Sequence, residues 1–260
     1  SVLNGRLDRD IVLTVVEGPE KTREVTLRPI TYTAIHDLLY KKWTRDNRAK
    51  VEQMSKGTLG YLHVRSMNWS SFLTFERDLY AAGAGKDGLV IDVRENGGGF
   101  TADYLLTALT QPLHAVTVGR GGSPGYPQDR KVYASWNKPI IVLCNQNSFS
   151  NAEIFTHAIK TLKRGKVVGV QTAGGGISTS GRSIMDLGFI RTPMRGWYVV
   201  GTGEDMELNG AVPDVTLWPE PGEIPAGKDV QLSKALELLL EDVREWKARP
   251  QPKLRNASDR

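Results

Sequence analysis

Residues 88–99 read Gly88-Leu89-Val90-Ile91-Asp92-Val93-Arg94-Glu95-Asn96-Gly97-Gly98-Gly99. A short apolar, β-branched run bounded by glycine is the signature of a strand buried on both faces. Three successive glycines then free the backbone at its end. Tyr104–Leu109 follows as a helix, so the order is strand, glycine corner, helix. The order recurs downstream. Pro139–Cys144 reads as a strand, 145–150 as a corner, Asn151–Leu162 as a helix and Val167–Val170 as the next strand. Upstream, Gly60–Val64 is a strand, and Phe72, Phe75 and Leu79 share one face of a helix over 70–82. Ala115–Val118 reads as a further strand, and Gly119–Gln128 as a loop rich in glycine and proline. Strand–helix alternation over 57–170 predicts an α/β fold with a largely parallel sheet and flanking helices. Further β segments are expected near 183–190 and 195–200. Leu232, Leu236, Leu239, Val243 and Trp246 line one face of a last helix. No internal repeat is evident.

The N-terminal region reads differently. Residues 11–16 and 23–27 are rich in Val and Thr and form two strands around Gly18-Pro19. Two strands do not make a stable unit, so 1–30 reads as the end of a domain. Residues 31–56 are polar and helix-permissive, a connector. The core is expected over 57–247, with a flexible tail over 248–260. The 260 residues carry 40% hydrophobic and 24% charged residues, an ordinary globular balance that argues against disorder. Net charge is +5, but the positives are scattered, without the basic stripe and aromatics of a nucleic-acid footprint. Runs such as Ile140–Cys144 fall far short of the ~20 apolar residues of a membrane span. A single cysteine, Cys144, excludes an internal disulfide and a multi-cysteine zinc site, and it reads as a buried small hydrophobe.

Two corners can carry chemistry. The 92–100 corner exposes unobstructed N–H groups able to hold a phosphate or an oxyanion. It lacks the glycine spacing and the Gly-Lys-Ser/Thr ending of nucleotide loops, and a plain tight turn explains it equally well. In the second corner, Asn145-Gln146-Asn147-Ser148-Phe149-Ser150-Asn151-Ala152-Glu153, Ser150 lies where strand gives way to helix. It can be a nucleophile beside the helix N-terminus, whose free N–H groups favour an oxyanion. It can also be an N-cap with Glu153 completing a capping box, and taken alone the cap is the stronger reading. The pairing of corners alters that. Both end parallel-type strands, so both open at the sheet edge where α/β sites form.

Gly60–Val64, Gly88–Gly99, Asn147–Phe155, Gly210-Ala211-Val212-Pro213-Asp214 and Gly227–Leu232 occur in this order. Together they resemble the catalytic core of the tail-specific, or C-terminal processing, serine peptidases, over about residues 57–243. The resemblance implies a ClpP/crotonase-like core preceded by the end of a PDZ-like domain. One branch of that family uses a Ser/Lys pair. The turn that would carry its lysine reads Thr172-Ala173-Gly174-Gly175-Gly176 here, with Gly175 in the lysine position. Lys160 is no obvious substitute, roughly 15 Å along the helix that Ser150 opens. The triple glycine, the connector and Glu207-Leu208-Asn209-Gly210 resemble the tricorn branch, whose tetrad is Ser–His–Ser–Glu. The resemblance then implies Ser150 as nucleophile and Glu207 as orienting carboxylate. It implies the backbone N–H groups of Gly99 and Asn151 as oxyanion donors, with Gly98 a further candidate. No metal or organic cofactor is implied.

The base is missing from this assignment. In the tricorn branch the His and its partner Ser lie upstream of the PDZ-like domain. Of the four histidines here, His36 lies in the connector, His63 in a strand motif and His114 at a strand start. His157 is about two turns along the Ser150 helix. The leading expectation is the C-terminal catalytic portion of a tricorn-like peptidase, cleaving oligopeptides or unfolded chains, with Gly119–Gln128 shaping its S1 pocket. Its expected partners are a peptide substrate, N-terminal domains of the same protein and further copies of itself; the resemblance implies a cytoplasmic setting, with the periplasm as the alternative. A non-catalytic peptide-binding module on the same fold is the alternative, since some relatives lose the serine. An acyl-CoA enzyme is a distant third.

Overall fold

The computed structural model describes residues 3–19, 21–115, 118, 135–250, 253–255 and 257–259. The chain divides into two compact units, Ser1–Asn47 and Arg48–Arg260. In the first, β1 (Ile11–Gly18) and β2 (Lys21–Leu27) pair as an antiparallel hairpin. The helix α1 (Tyr32–Met54) contains the boundary between the units, and covers most of the segment read as a connector.

The second unit is built on a five-stranded parallel sheet in the order β3 (Leu59–His63), β4 (Gly88–Asp92), β5 (Ile140–Cys144), β6 (Lys166–Gly169), β9 (Val215–Thr216). Between its strands run α2 (Trp69–Gly83), α3 (Ala102–Thr110) and α4 (Asn151–Thr161), and α5 (Val230–Ala248) closes the unit. The apolar runs of β3 to β6 are apolar on both faces because both faces are covered. Leu62, Leu89, Ile91, Val142 and Val167 pack with α2, α3 and α4. Their neighbours Tyr61, Val90, Ile141, Leu143 and Val168 pack against Leu232, Leu236 and Leu239 of α5. Period-two alternation divides each strand between two cores, so a register slip would exchange them. The fold is the expected α/β class with a parallel sheet and flanking helices. Among the described residues no helix is long and apolar enough to cross a membrane.

The sequence misplaces one element. Strands expected near 183–190 and 195–200 are instead an antiparallel hairpin of β7 (Ser178–Ile184) and β8 (Gly188–Arg195). Residues 195–200 hold only an isolated bridge, Tyr198 to Asp205. The hairpin is largely exposed, so no core imposes an alternation that would mark its ends. Its turn signal, Asp186-Leu187-Gly188, has Met185 and Gly188 at positive φ. The two-residue β9 also escapes a periodicity reading. The strand expected at 115–118 and the 119–128 loop fall largely outside the described residues, as does part of the 248–260 tail.

Candidate active site

β4 and β5 are hydrogen-bonded neighbours, so the corners that follow them open side by side at the carboxyl edge of the sheet. Cross-bonds lock them together. Asn96 donates Nδ2 to the Val64 carbonyl (2.8 Å), and its own carbonyl accepts the Phe149 N–H (2.9 Å). Ser148 Oγ donates to the Val93 carbonyl (2.8 Å), and Asn151 Oδ1 accepts the Ala102 N–H at the start of α3 (2.8 Å). Outside, Glu95 receives both Asn145 and Asn147 side-chain amides.

Gly99 must be glycine. Its φ is +147°, and a Cβ there would lie 2.0 Å from the Met67 carbonyl oxygen, because β4's extension bridges to Met67. Gly98 donates its N–H to Asn96 Oδ1 (2.9 Å). The Gly99 N–H makes no hydrogen bond to a described residue, and neither does that of Asn151. Of the expected donors, Gly99 and Asn151 are therefore the free pair, and Gly98 is engaged.

Ser150 sits at the N-cap position of α4 with φ 57° and ψ −119°, in capping-box geometry with Glu153: the Glu153 N–H donates to the Ser150 carbonyl (2.9 Å), and the Ser150 hydroxyl beside it makes no regular cap hydrogen bond. This conformation is strained for any residue with a Cβ and is the sharp strand-to-helix elbow that presents a hydroxyl outward. Glu153 does what the capping pattern anticipates, accepting the Ser150 N–H at Oε1 (2.8 Å). It does more than a cap. The buried carboxylate also accepts from Thr172 Oγ1 (2.6 Å) and from the Gly174 and Gly175 N–H groups. It thereby ties the elbow to the 172–175 turn, a role only the Ser-x-x-Glu spacing hinted at. Replacing Ser150 by glycine is expected to relieve the strained φ and stabilise the protein by roughly 1 kcal/mol relative to Ser150→Ala. Urea unfolding of both variants checks this, and equal midpoints would refute it.

Glu207 reaches the same cleft through the loop before β9. That loop is held by Leu208 N–H to the Gly174 carbonyl (2.8 Å) and Ala211 N–H to Thr172 Oγ1 (2.7 Å). Glu207 Oε2 accepts the Ile177 N–H (2.8 Å), and Oε1 makes no hydrogen bond to a described residue. Ser150, Asn151, Gly98, Gly99, Gly175, Ile177 and Glu207 line one open cleft of about 950 Å³. Gly175 packs tightly: a Cβ there would come within 2.1 Å of the Phe149 ring, leaving no room for a lysine. Lys160 is occupied with the Val212 carbonyl and Asp214.

No described histidine lines the cleft. His63 Nε2 lies 2.8 Å from the Arg94 carbonyl, and His157 Nε2 lies 3.3 Å from that of Asn209. Burial lowers the pKa of both. Burial, reinforced by the Asp92 charge, pushes the Cys144 thiol up to about 12, so it is no competing nucleophile at neutral pH. Beneath the glycine corner lies a buried ion network. Arg94 pairs with the fully buried Asp92 (2.7 Å) and with Asp229 (2.9 Å), the N-cap of α5. Tyr61 donates its hydroxyl to Asp92 (2.9 Å).

Comparison with known proteins identifies the family. Residues 58–217 match peptidase family S41. Tricorn protease homolog 1 of Streptomyces coelicolor is 35% identical over 97% of the chain, and the tricorn protease of Thermoplasma acidophilum 32% identical over 80%. The chain spans only 23% and 19% of their respective lengths. A crystal structure of the tricorn protease superposes with a TM-score of 0.78 and 27% identity, over 94% of this chain and 23% of that one. With a family match over residues 58–217, more than half of the chain, and a relative 35% identical over 97% of it, this chain belongs to peptidase family S41.

Proposed function

We propose that this chain is the catalytic portion of a tricorn-like serine peptidase, and that it cleaves oligopeptides or unfolded chains through an acyl-enzyme on Ser150. The observation that carries the reading is the Ser150 side chain on a strained elbow, in one cleft with the two unengaged N–H groups of Gly99 and Asn151.

In this reading Ser150 Oγ attacks the scissile carbonyl carbon. A base takes its proton, and the tetrahedral oxyanion sits against the Gly99 and Asn151 N–H groups, a pair of donors often worth ~3 kcal/mol each. The C–N bond breaks, the base returns the proton to the leaving amine, and water hydrolyses the ester by the same route. Serine needs such a base at neutral pH, and no described histidine or lysine occupies that place. We assign it to a histidine from outside this chain. Glu207, with Oε1 unengaged, orients that histidine through a second serine. The β1–β2 hairpin is assigned on the same basis to the end of a PDZ-like domain. The test is hydrolysis of fluorogenic peptides with basic, hydrophobic and acidic P1 residues. The whole protein is expected to cleave at least one class, and residues 1–260 alone at least about 100-fold more slowly. No cleavage by the folded whole protein would favour a peptide-binding module instead. Equal rates would place the base within this chain.

A further inference from the structure

The cleft that holds Ser150 has two charged side chains in its lining, Glu207 and Arg191. Glu207 is part of the proposed catalytic group. Arg191 has no part in it, and its charge is unanswered. It lies on β8, opposite Gly181 of β7, and is exposed. Its Nε (3.2 Å) and Nη2 (2.7 Å) both donate to the Thr179 hydroxyl. That contact holds one edge of the guanidinium and aims it, but brings no negative charge. No carboxylate among the described residues lies within ion-pair distance of it. The Nη1 donors remain, in the planar fork that suits a carboxylate.

Its place relative to the chemistry follows from the chain. Gly175, bonded to Glu153 beneath Ser150, leads through Ile177, which anchors Glu207, to Thr179. All three line the cleft. The Gly175–Thr179 path spans at most ~13–14 Å, so a short extended peptide seated over Ser150 also reaches Arg191. Its flanks are apolar. Pro193 pairs with Thr179, and the Phe189 ring leans over Gly181, where a Cβ would meet it at 2.3 Å.

Resting on the peptidase reading of the same cleft, we infer that Arg191 is a specificity-determining residue. It binds a carboxylate of the substrate peptide close to the cut, supplied by an Asp or Glu side chain or by a free C-terminus.

The experiment uses the whole protein carrying Ser150→Ala and reads peptide binding by fluorescence anisotropy, which needs no turnover. One peptide set is amidated at its C-terminus and scans a single Glu, with Gln counterparts, through four positions on either side of a fixed central residue. A second set carries Gln throughout, with a free or an amidated C-terminus. At one register the carboxylate is expected to tighten binding about tenfold. Arg191→Ala abolishes that difference and leaves the amide peptides unchanged, and Arg191→Glu reverses it, so that the amide peptide binds more tightly than its carboxylate counterpart. Which set responds identifies the source of the carboxylate. Equal binding of Glu and Gln peptides at every register with equal binding of the two termini, a preference that survives Arg191→Ala, or no peptide binding at all would each overturn the inference. Hydrolysis by the Ser150 protein is measured alongside. Its absence with Arg191-dependent binding intact would sink the peptidase reading alone.

Discussion

Ser150→Ala in the whole protein is expected to lower kcat/KM for peptide hydrolysis by at least about 10³-fold while leaving peptide affinity within a factor of two or three. The first half follows because the hydroxyl supplies the bond-forming atom, and the other hydroxyls of the cleft, Ser178 and Thr179, are away from the elbow and accept from Trp197 and Arg191. Lys160 and Cys144 are otherwise engaged or buried. The oxyanion donors survive the change, so a residual rate above the uncatalysed one remains. The second half follows because alanine keeps the Cβ and the elbow conformation, with the Glu153 bonds unaltered. A parallel loss of affinity would mean that Ser150 serves packing rather than chemistry. Unchanged hydrolysis would return it to the role of a helix N-cap.

Arg94→Ala is expected to cost about 3–5 kcal/mol at neutral pH, because it leaves the fully buried Asp92 without its counter-ion. The effect has a pH signature that a simple cavity lacks. In the wild type, burial alone would raise the Asp92 pKa. The charge and hydrogen bonds of Arg94 outweigh burial and hold it below 3.8. A depressed carboxyl contributes stability that is present above 3.8 and lost as pH falls through its folded value. Without Arg94, burial dominates and the folded pKa rises above 3.8. The penalty then grows as pH rises and vanishes once Asp92 is protonated. The stability difference between the two proteins should therefore shrink as pH falls from 7 towards 4. His63, whose pKa burial lowers from 6.5, contributes stability that is lost as pH falls below 6.5. The Arg94 charge contributes to that lowering, so the loss is smaller in Arg94→Ala and shrinks the difference in the same direction. Urea titrations at pH 7, 5.5 and 4 measure it. A constant difference would show that Arg94 matters for packing and not for charge.

Much of this arrangement is legible in the sequence, and the parts that are not share a cause. Strands flanked on both faces by helices must be apolar throughout, so β4 and β5 announce themselves and bring their glycine corners to one edge. The Ser150–Glu153 spacing is equally local. What Glu153 does beyond it, holding Thr172, Gly174 and Gly175, depends on a turn some twenty residues away. The Asp92–Arg94–Asp229 network depends on α5 packing across the sheet. Periodicity carries no record of either. The exposed β7–β8 hairpin is misplaced for the opposite reason: nothing buries it. Arg191 thus passes for an ordinary surface cation until the hairpin register sets it in the cleft.

Ser150 is expected to form a covalent acyl intermediate, which trapping detects. The whole protein, incubated with a peptidyl phosphonate that reacts with activated serines, is digested and read by mass spectrometry. One adduct is expected, on the fragment holding Ser150, with hydrolysis lost in proportion to labelling and no adduct in Ser150→Ala. Hydrolysis that is abolished by an adduct on another residue, or that persists when Ser150 is fully labelled, would contradict it.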